Sequence, residues 1–395
     1  MKQFHHLLLV LLLPVLCFAQ QTIEGSITHD DIQRDYILYI PASYSGEEPV
    51  PLIFNFHGYG SNAEEQMWYG DFRAIADTAG FVIVHPEGTL FEGFTHWNVG
   101  GWTVGSPADD VGFTSALIDS LSTAYNIDPL RVYATGMSNG GYMSFLLACQ
   151  LGERIAAIAS VTGAMTPETH NECGPQHPTP ILQAHGTTDS VVPYNGTIWS
   201  ESIDDVIQYW VDYNNCNIIP TIIPLPDIDP DDGSTVEHII YDDGDNGVVV
   251  EHFRVIGGGH TWPGSAFGGP GTNYDIDASV EIWTFFSRYD INGSIDTEGV
   301  ITVAEELPAG FELVQNHPNP FNPSTTIEYR LATPGQVSLS VYNIKGQLVD
   351  VIQSGYHPAG KYSVEWAPVD LPGGVYFVEM KAVEFHKVLK VSFVK

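Results

Sequence analysis

The chain has 395 residues, which sets a prior of two or three folded units, and its 44% hydrophobic and 12% aromatic content permits a large core. Its 48 acidic against 14 basic residues give a formal net charge of −34 and a pI near 4.4. A surface of that sign repels nucleic-acid phosphate and anionic lipid, so neither is expected as a partner, and it suits solubility in an extracellular or saline setting.

Residues 1–19 read as an export signal. Lys2 supplies positive charge, Leu7 to Leu16 is apolar, and Cys17-Phe18-Ala19 is a small-x-small cleavage site. The apolar run is short for a bilayer span, and no other stretch is long enough to cross one. Leu16 stands where a lipoprotein signal needs a small residue, so cleavage after Ala19 without a lipid anchor is expected. Cys149, Cys173 and Cys216 then remain. Secretion permits one disulfide with one thiol left over, and the spacings match no zinc pattern.

Residues 22–290 read as one α/β domain. Thr22–Ile27 and Asp35–Ile40 look like antiparallel edge strands, and Pro51–Phe56 and Phe81–Val84 like buried ones. Phe113, Leu117, Leu121 and Tyr125 recur at helical spacing. Arg131–Ala134 is a short β-prone run, and Met143–Ala148 a good helix former. Between them lies Gly136-Met137-Ser138-Asn139-Gly140-Gly141, a G-x-S-x-G joining strand to helix, which is the pattern of a nucleophile elbow. Ile155–Val161 and Pro180–Ala184 are further strands. Val206, Tyr209, Trp210 and Tyr213 mark another helix. Val248–Ile256 is a late strand and Ala278–Tyr289 a closing helix. Strands alternating with helices predict a mostly parallel sheet with helices on both faces. Residues 291–306 are rich in Gly, Ser, Thr and acid and read as a linker. Over 307–395, short alternating strands separated by Gly, Pro and Asn turns predict a small immunoglobulin-like β-sandwich.

The elbow sets a search for partners. A serine hydroxyl needs a histidine base, and the histidine needs a carboxylate that fixes its tautomer. In chain order the acid follows the serine and the histidine comes last. Asp189, in His185-Gly186-Thr187-Thr188-Asp189, follows one strand. His260, in Gly257-Gly258-Gly259-His260-Thr261-Trp262, follows another. All three candidates thus leave strands at one edge of the sheet, where open α/β sheets bind ligands. Asp204 and Asp205 also satisfy the chain order but fit the first turn of a helix better. His252, alternating with Phe253, is expected on a solvated strand face, and His185 is expected to pack or orient the acid loop. His96 lies in an aromatic loop within reach of a substrate, and His57 is expected to fix its own loop. The backbone N–H groups of Asn139 and Tyr59 are the candidate oxyanion donors. Trp97, Trp102 and Trp262 lie on loops and are either loop cores or an apolar wall for an aromatic or sugar group. Asp227, Asp229, Asp231 and Asp232 lack the glycine and glutamate of an EF-type calcium loop and read as solvated.

Six motifs fall in an order similar to that of the polyhydroxybutyrate depolymerase-like esterases, relatives of the feruloyl and acetyl xylan esterases of carbohydrate esterase family one. They are His57-Gly58, Asn98-Val99-Gly100-Gly101-Trp102, Asp109-Asp110-Val111-Gly112-Phe113, the elbow, the Asp189 segment and Gly258–Gly264. The resemblance implies an α/β-hydrolase fold, a Ser138–Asp189–His260 triad, and no metal or cofactor. Such enzymes often hold a second cysteine pair late in the sheet. Here Cys216 has no partner after it, which leaves Cys149–Cys173 as the bridge. The tail resembles a type IX secretion sorting domain, through Asn316–Ile327, Val341–Gln347 and Gly374-Val375-Tyr376. That implies delivery outside the cell or to its surface by type IX secretion machinery. The expected function is a secreted serine esterase acting on feruloyl or acetyl esters of plant xylan. A polyhydroxyalkanoate depolymerase is the nearest alternative, and a non-catalytic surface binding protein the alternative of another class.

Overall fold

The computed structural model describes residues 20–295, 310–331, 335–357, 360–368, 371–382 and 385–395. The expected export signal and most of the expected linker lie outside these residues.

The elements run in this order. Strands β1 (Gln21–His29), β2 (Ile32–Ile40) and β3 (Val50–Phe56) come first, then helices α1 (Ala63–Tyr69) and α2 (Arg73–Ala79). Strand β4 (Val82–Pro86) and a short hairpin, β5 (Thr89–Phe91) and β6 (Phe94–His96), lead to α3 (Asp110–Ala124). Next are β7 (Ile127–Met137), α4 (Asn139–Gln150), β8 (Ala157–Val161), α5 (Pro167–Glu172), β9 (Ile181–Gly186) and α6 (Ile203–Tyr213). Strands β10 (Thr221–Pro224), β11 (Thr235–Tyr241) and β12 (Val250–Ile256) precede α7 (Ala278–Phe286).

Ten strands form one sheet in the order β1-β2-β4-β3-β7-β8-β9-β12-β11-β10. The six from β4 to β12 run parallel, and antiparallel pairs close both edges. The sequence explains the centre. Strands β4, β8 and β9 are buried at every residue, the mark of strands covered on both faces. Phe113, Leu117 and Leu121 of α3, Phe145 of α4 and Trp210 of α6 pack on one face. Ala76 of α2 and Ile282, Phe285 and Phe286 of α7 pack on the other. Side-chain caps start several helices: Asp109 accepts from Gly112 N–H, and Ser202 from Asp205 N–H. This is the α/β-hydrolase arrangement.

Cys149 in α4 is bonded to Cys173 at the end of α5, with a Cα–Cα distance of 4.7 Å, and Cys216 is a buried free thiol. Closing a ring with a sequence separation of 24 stabilises the fold by about 3 kcal/mol in the chain-entropy account.

Glu251 of β12 ties the late strands together. Its carboxylate accepts from Arg288 Nη2 at 2.5 Å and pairs with His238 Nε2 of β11 at 2.8 Å. Burial raises its pKa, but the charges of Arg288 and His238 and their hydrogen bonds outweigh that and hold it at about 2. A carboxyl depressed on folding stabilises above its unfolded value and loses that contribution as pH falls through its folded one. Glu251→Gln is therefore expected to cost about 3 kcal/mol in denaturant titrations near neutral pH. The gap to the parent should close as pH falls from about 4.5 towards 2. A pH-independent gap would contradict this account.

After the short pair β13 (Tyr289–Asp290) and β14 (Gly293–Ser294), two antiparallel sheets follow. One joins β15 (Glu312–Leu313), β16 (Thr325–Leu331) and β19 (Gly360–Trp366). The other joins β17 (Gly335–Asn343), β18 (Leu348–His357), β20 (Gly374–Ala382) and β21 (Phe385–Phe393), in the order β18-β17-β20-β21. Ile327, Tyr329, Leu339, Val341, Val378 and Val391 share one core between the sheets, which makes the unit a β-sandwich.

Candidate active site

The turn between β7 and α4 is tight because three glycines let it be. A methyl group on Gly136 would lie 2.6 Å from Phe56 O, and one on Gly140 2.1 Å from the same atom. On Gly141 it would meet Ser160 Oγ at 2.5 Å. Ser138 pivots between them at φ 54°, ψ −119°, a left-handed backbone that an L-residue holds only under constraint. Its N–H is fixed to Val161 O at 2.8 Å. The side chain is thereby held at the carboxyl end of β7 and lines a cavity of about 750 Å³.

His260 lines the same cavity. It reaches it because two loops at the ends of β9 and β12 are stitched together. Thr188 N–H donates to Gly258 O at 3.0 Å, Gly257 N–H to Thr187 Oγ1 at 2.9 Å, and a methyl on Gly186 would sit 2.3 Å from Gly258 O. Asp189 leaves the first loop and His260 the second. Their side chains meet at 2.7 Å, Nδ1 to Oδ2. The other carboxylate oxygen accepts from the Val191 and Val192 N–H groups at 2.8 and 2.9 Å. Burial pushes the Asp189 carboxyl up, but the hydrogen bond and charge of His260, the backbone donors and His185 bring it below the usual carboxylate range. An ionised Asp189 only accepts, so Nδ1 carries the proton and Nε2 is the basic edge. Among the described residues, no hydrogen bond engages Nε2 or joins it to Ser138 Oγ. Such contacts tighten when substrate binds.

The loop after β3 passes directly over Ser138. A methyl on Gly58 would lie 3.5 Å from Ser138 Cβ. Tyr59 follows it in the chain and lines the same cavity as Ser138. Hairpin β5–β6 holds this loop: Gly60 N–H donates to Thr95 O at 2.8 Å, Thr95 Oγ1 donates to Ser61 O, and the Tyr59 and Phe94 rings lie 5.4 Å apart. Asn139 opens α4, so its N–H has no acceptor within the helix. Its buried amide clamps residue 97, accepting from Trp97 N–H at 2.7 Å and donating to Trp97 O at 3.1 Å.

Several expectations are corrected. Trp97 and Trp262 are buried and form no substrate wall. Trp97 Nε1 donates to His57 O, and Trp262 Nε1 to Ser279 Oγ. Trp102 is half-buried, edge-on to Tyr142 and Trp199, and does not line the cavity of Ser138. The aromatic residues that line that cavity are Tyr59, Trp68, Tyr69 and Phe267. His252 is buried, with Nδ1 bonded to Gln183 O and Nε2 to Tyr194 OH, because the face of β12 that carries it is covered by Tyr194 and α6. His96 is buried between Thr89 O and Ser106 Oγ and is not among the described residues that line the cavity of Ser138.

Other expectations match the geometry. His57 is a loop pin: Gly88 N–H donates to Nε2, so Nδ1–H donates to Gly58 O, and burial lowers its pKa to about 4. His185 Nε2 bonds to Val192 O at 2.9 Å and lies 3.4 Å from Asp189 Oδ2, so it packs behind the acid loop. Asp204 and Asp205 sit in the first turn of α6, and Asp204 accepts from Tyr194 OH.

Known proteins resemble this chain in two blocks. The family described as Esterase PHB depolymerase matches residues 34–192, and the secretion system C-terminal sorting domain matches residues 316–393. A putative esterase, NocK, of Nocardia uniformis subsp. tsuyamanensis is 30% identical over 258 residues, covering 59% of this chain and 72% of that protein. The bifunctional acetylxylan esterase/xylanase XynS20E of Neocallimastix patriciarum is 28% identical over 269 residues, covering 67% of this chain and 35% of that protein. Feruloyl esterase B of Piromyces equi is 30% identical over 238 residues, covering 58% and 42%. The chain thus spans only about a third to two fifths of the length of the last two. Its carboxyl-terminal unit is a secretion sorting domain, and no helix among the described residues is long and apolar enough to cross a membrane.

Proposed function

Since the chain belongs to the esterase PHB depolymerase family, we propose that it is an exported serine esterase acting on feruloyl or acetyl esters of plant cell-wall xylan. One observation carries the reading: a serine in a strained left-handed turn borders the same cavity as a histidine whose Nδ1 lies 2.7 Å from a buried carboxylate.

The chemistry follows from those positions. Ser138 Oγ attacks the ester carbonyl as His260 Nε2 takes its proton, and Asp189 stabilises the imidazolium. The Tyr59 and Asn139 N–H groups hold the oxyanion. His260 returns the proton to the departing alcohol. Water then attacks the acyl-serine with His260 again as base, and the acid leaves. The aromatic wall of Tyr59, Trp68, Tyr69 and Phe267 favours a cinnamoyl acyl group over a small aliphatic one. Export begins with the signal expected over residues 1–19 and ends with type IX machinery reading the sorting domain.

A fluorophosphonate probe with a panel of methyl ferulate, acetylated xylan and hydroxybutyrate oligomers tests this. Labelling of Ser138 with fastest turnover of the ferulate is expected. Fastest turnover of the oligomers favours polyester hydrolysis. Absence of labelling identifies a binding protein that kept the fold.

A further inference from the structure

We propose that Glu64 and Glu65 make the cavity selective for uncharged esters and expel the carboxylate that hydrolysis leaves there. The proposal rests on the esterase reading of Ser138. Both glutamates line the cavity with Ser138 and His260, and none of its described lining residues is Lys or Arg. The guanidinium of Arg73 lies 3.8 Å over the Trp68 ring, but its Nε and Nη2 are bonded to Asp71 at 2.9 and 2.7 Å. Its charge is therefore matched by that carboxylate.

Both glutamate side chains are exposed at the rim of the cavity, and Glu65 is held in place by hydrogen bonds. They lie in the first turn of α1, which Asn62 caps by accepting from Glu65 N–H at 2.8 Å. Ser61 Oγ donates to Glu65 Oε2 at 2.7 Å, and Ser61 O is in turn held by Thr95 Oγ1. The carboxylate of Glu65 is thus tied to the same loop that carries Gly58 and Tyr59 over Ser138.

The charge of each species on the pathway decides what these groups do. The ester is neutral. In the tetrahedral intermediate the oxyanion is balanced by the imidazolium formed when His260 takes the serine proton. After hydrolysis the products are an alcohol, a carboxylate and a proton released to solvent, while His260 is neutral again. Only the product therefore presents an unbalanced negative charge to Glu64 and Glu65, within a molecule of net charge −34. Coulomb repulsion acts on it and not on the substrate or the intermediate.

The test compares two competitive ligands of equal shape, ferulate and its neutral amide, against methyl ferulate hydrolysis by the full chain. The parent should bind ferulate about tenfold more weakly than ferulamide at low salt. Glu64→Gln with Glu65→Gln should bring that ratio towards unity, as should about 1 M salt, where the screening length is about 3 Å. Equal binding of the two ligands by the parent, or a ratio unmoved by the double substitution, overturns the proposal. Direct titration by Trp fluorescence gives the same ratio without turnover. A protein that hydrolyses no ester therefore sinks the esterase reading and leaves the charge selectivity separately measured.

Discussion

Ser138→Ala is expected to lower turnover of methyl ferulate by roughly a millionfold. No other group at the site can take over its task. On the proposed mechanism His260 is a base without a nucleophile once the hydroxyl is gone, and the Tyr59 and Asn139 N–H groups alone would leave roughly a thousandfold rate advantage over water. The fold should survive, because Ser138 Oγ makes no hydrogen bond among the described residues and Ala keeps the Cβ that the turn already tolerates. Turnover measured alongside thermal melting separates the two effects. A variant that melts like the parent and retains more than about a hundredth of its rate would show that the chemistry lies elsewhere.

Gly140→Ala should do the opposite and strike the fold first. The added methyl would lie 2.1 Å from Phe56 O and 2.8 Å from His57 O. Both are backbone atoms, so no side chain can swing aside. The end of β3 and the start of α4 would have to separate, and with them the loop over Ser138. A cost above about 3 kcal/mol is expected, or a fall in melting temperature of roughly 6–12 °C for a domain of this size. Gly174→Ala is the control, since nothing lies within 4 Å of a methyl there. A Gly140→Ala protein that melts with that control would mean the strand and helix are not pressed together as described.

The readable parts of this molecule were those where one residue type is physically compelled. A strand, a serine between glycines and a helix form a local pattern, and Gly136 and Gly140 are needed for the backbone contacts just described. Asp189 and His260 were findable as a pair by chain order and strand ends, and their side chains lie 2.7 Å apart. The cavity wall was not readable. Helices α1 and α2 have seven residues each, too short for a helical period to show, so Trp68 and Tyr69 carried no signal. The tryptophans failed for a different reason. A loop position says that an indole is near the surface, not which way it points, and Trp97 and Trp262 point inward. His252 misled because alternation with Phe253 marks a half-exposed strand only when one face is open. In this sheet β12 is covered on both faces, and His252 is 2% exposed.

The covalent bond between positions 149 and 173 ties molecular maturity to geography. It braces the helix that begins just after Ser138 against the segment following β8, the strand whose last residue accepts from the backbone N–H of Ser138. Inside a cell rich in reduced glutathione the brace stays open, and the elbow is less firmly seated. Only past the oxidising side of a membrane does the polypeptide acquire its full rigidity. Robustness is thus conferred where disulfides form.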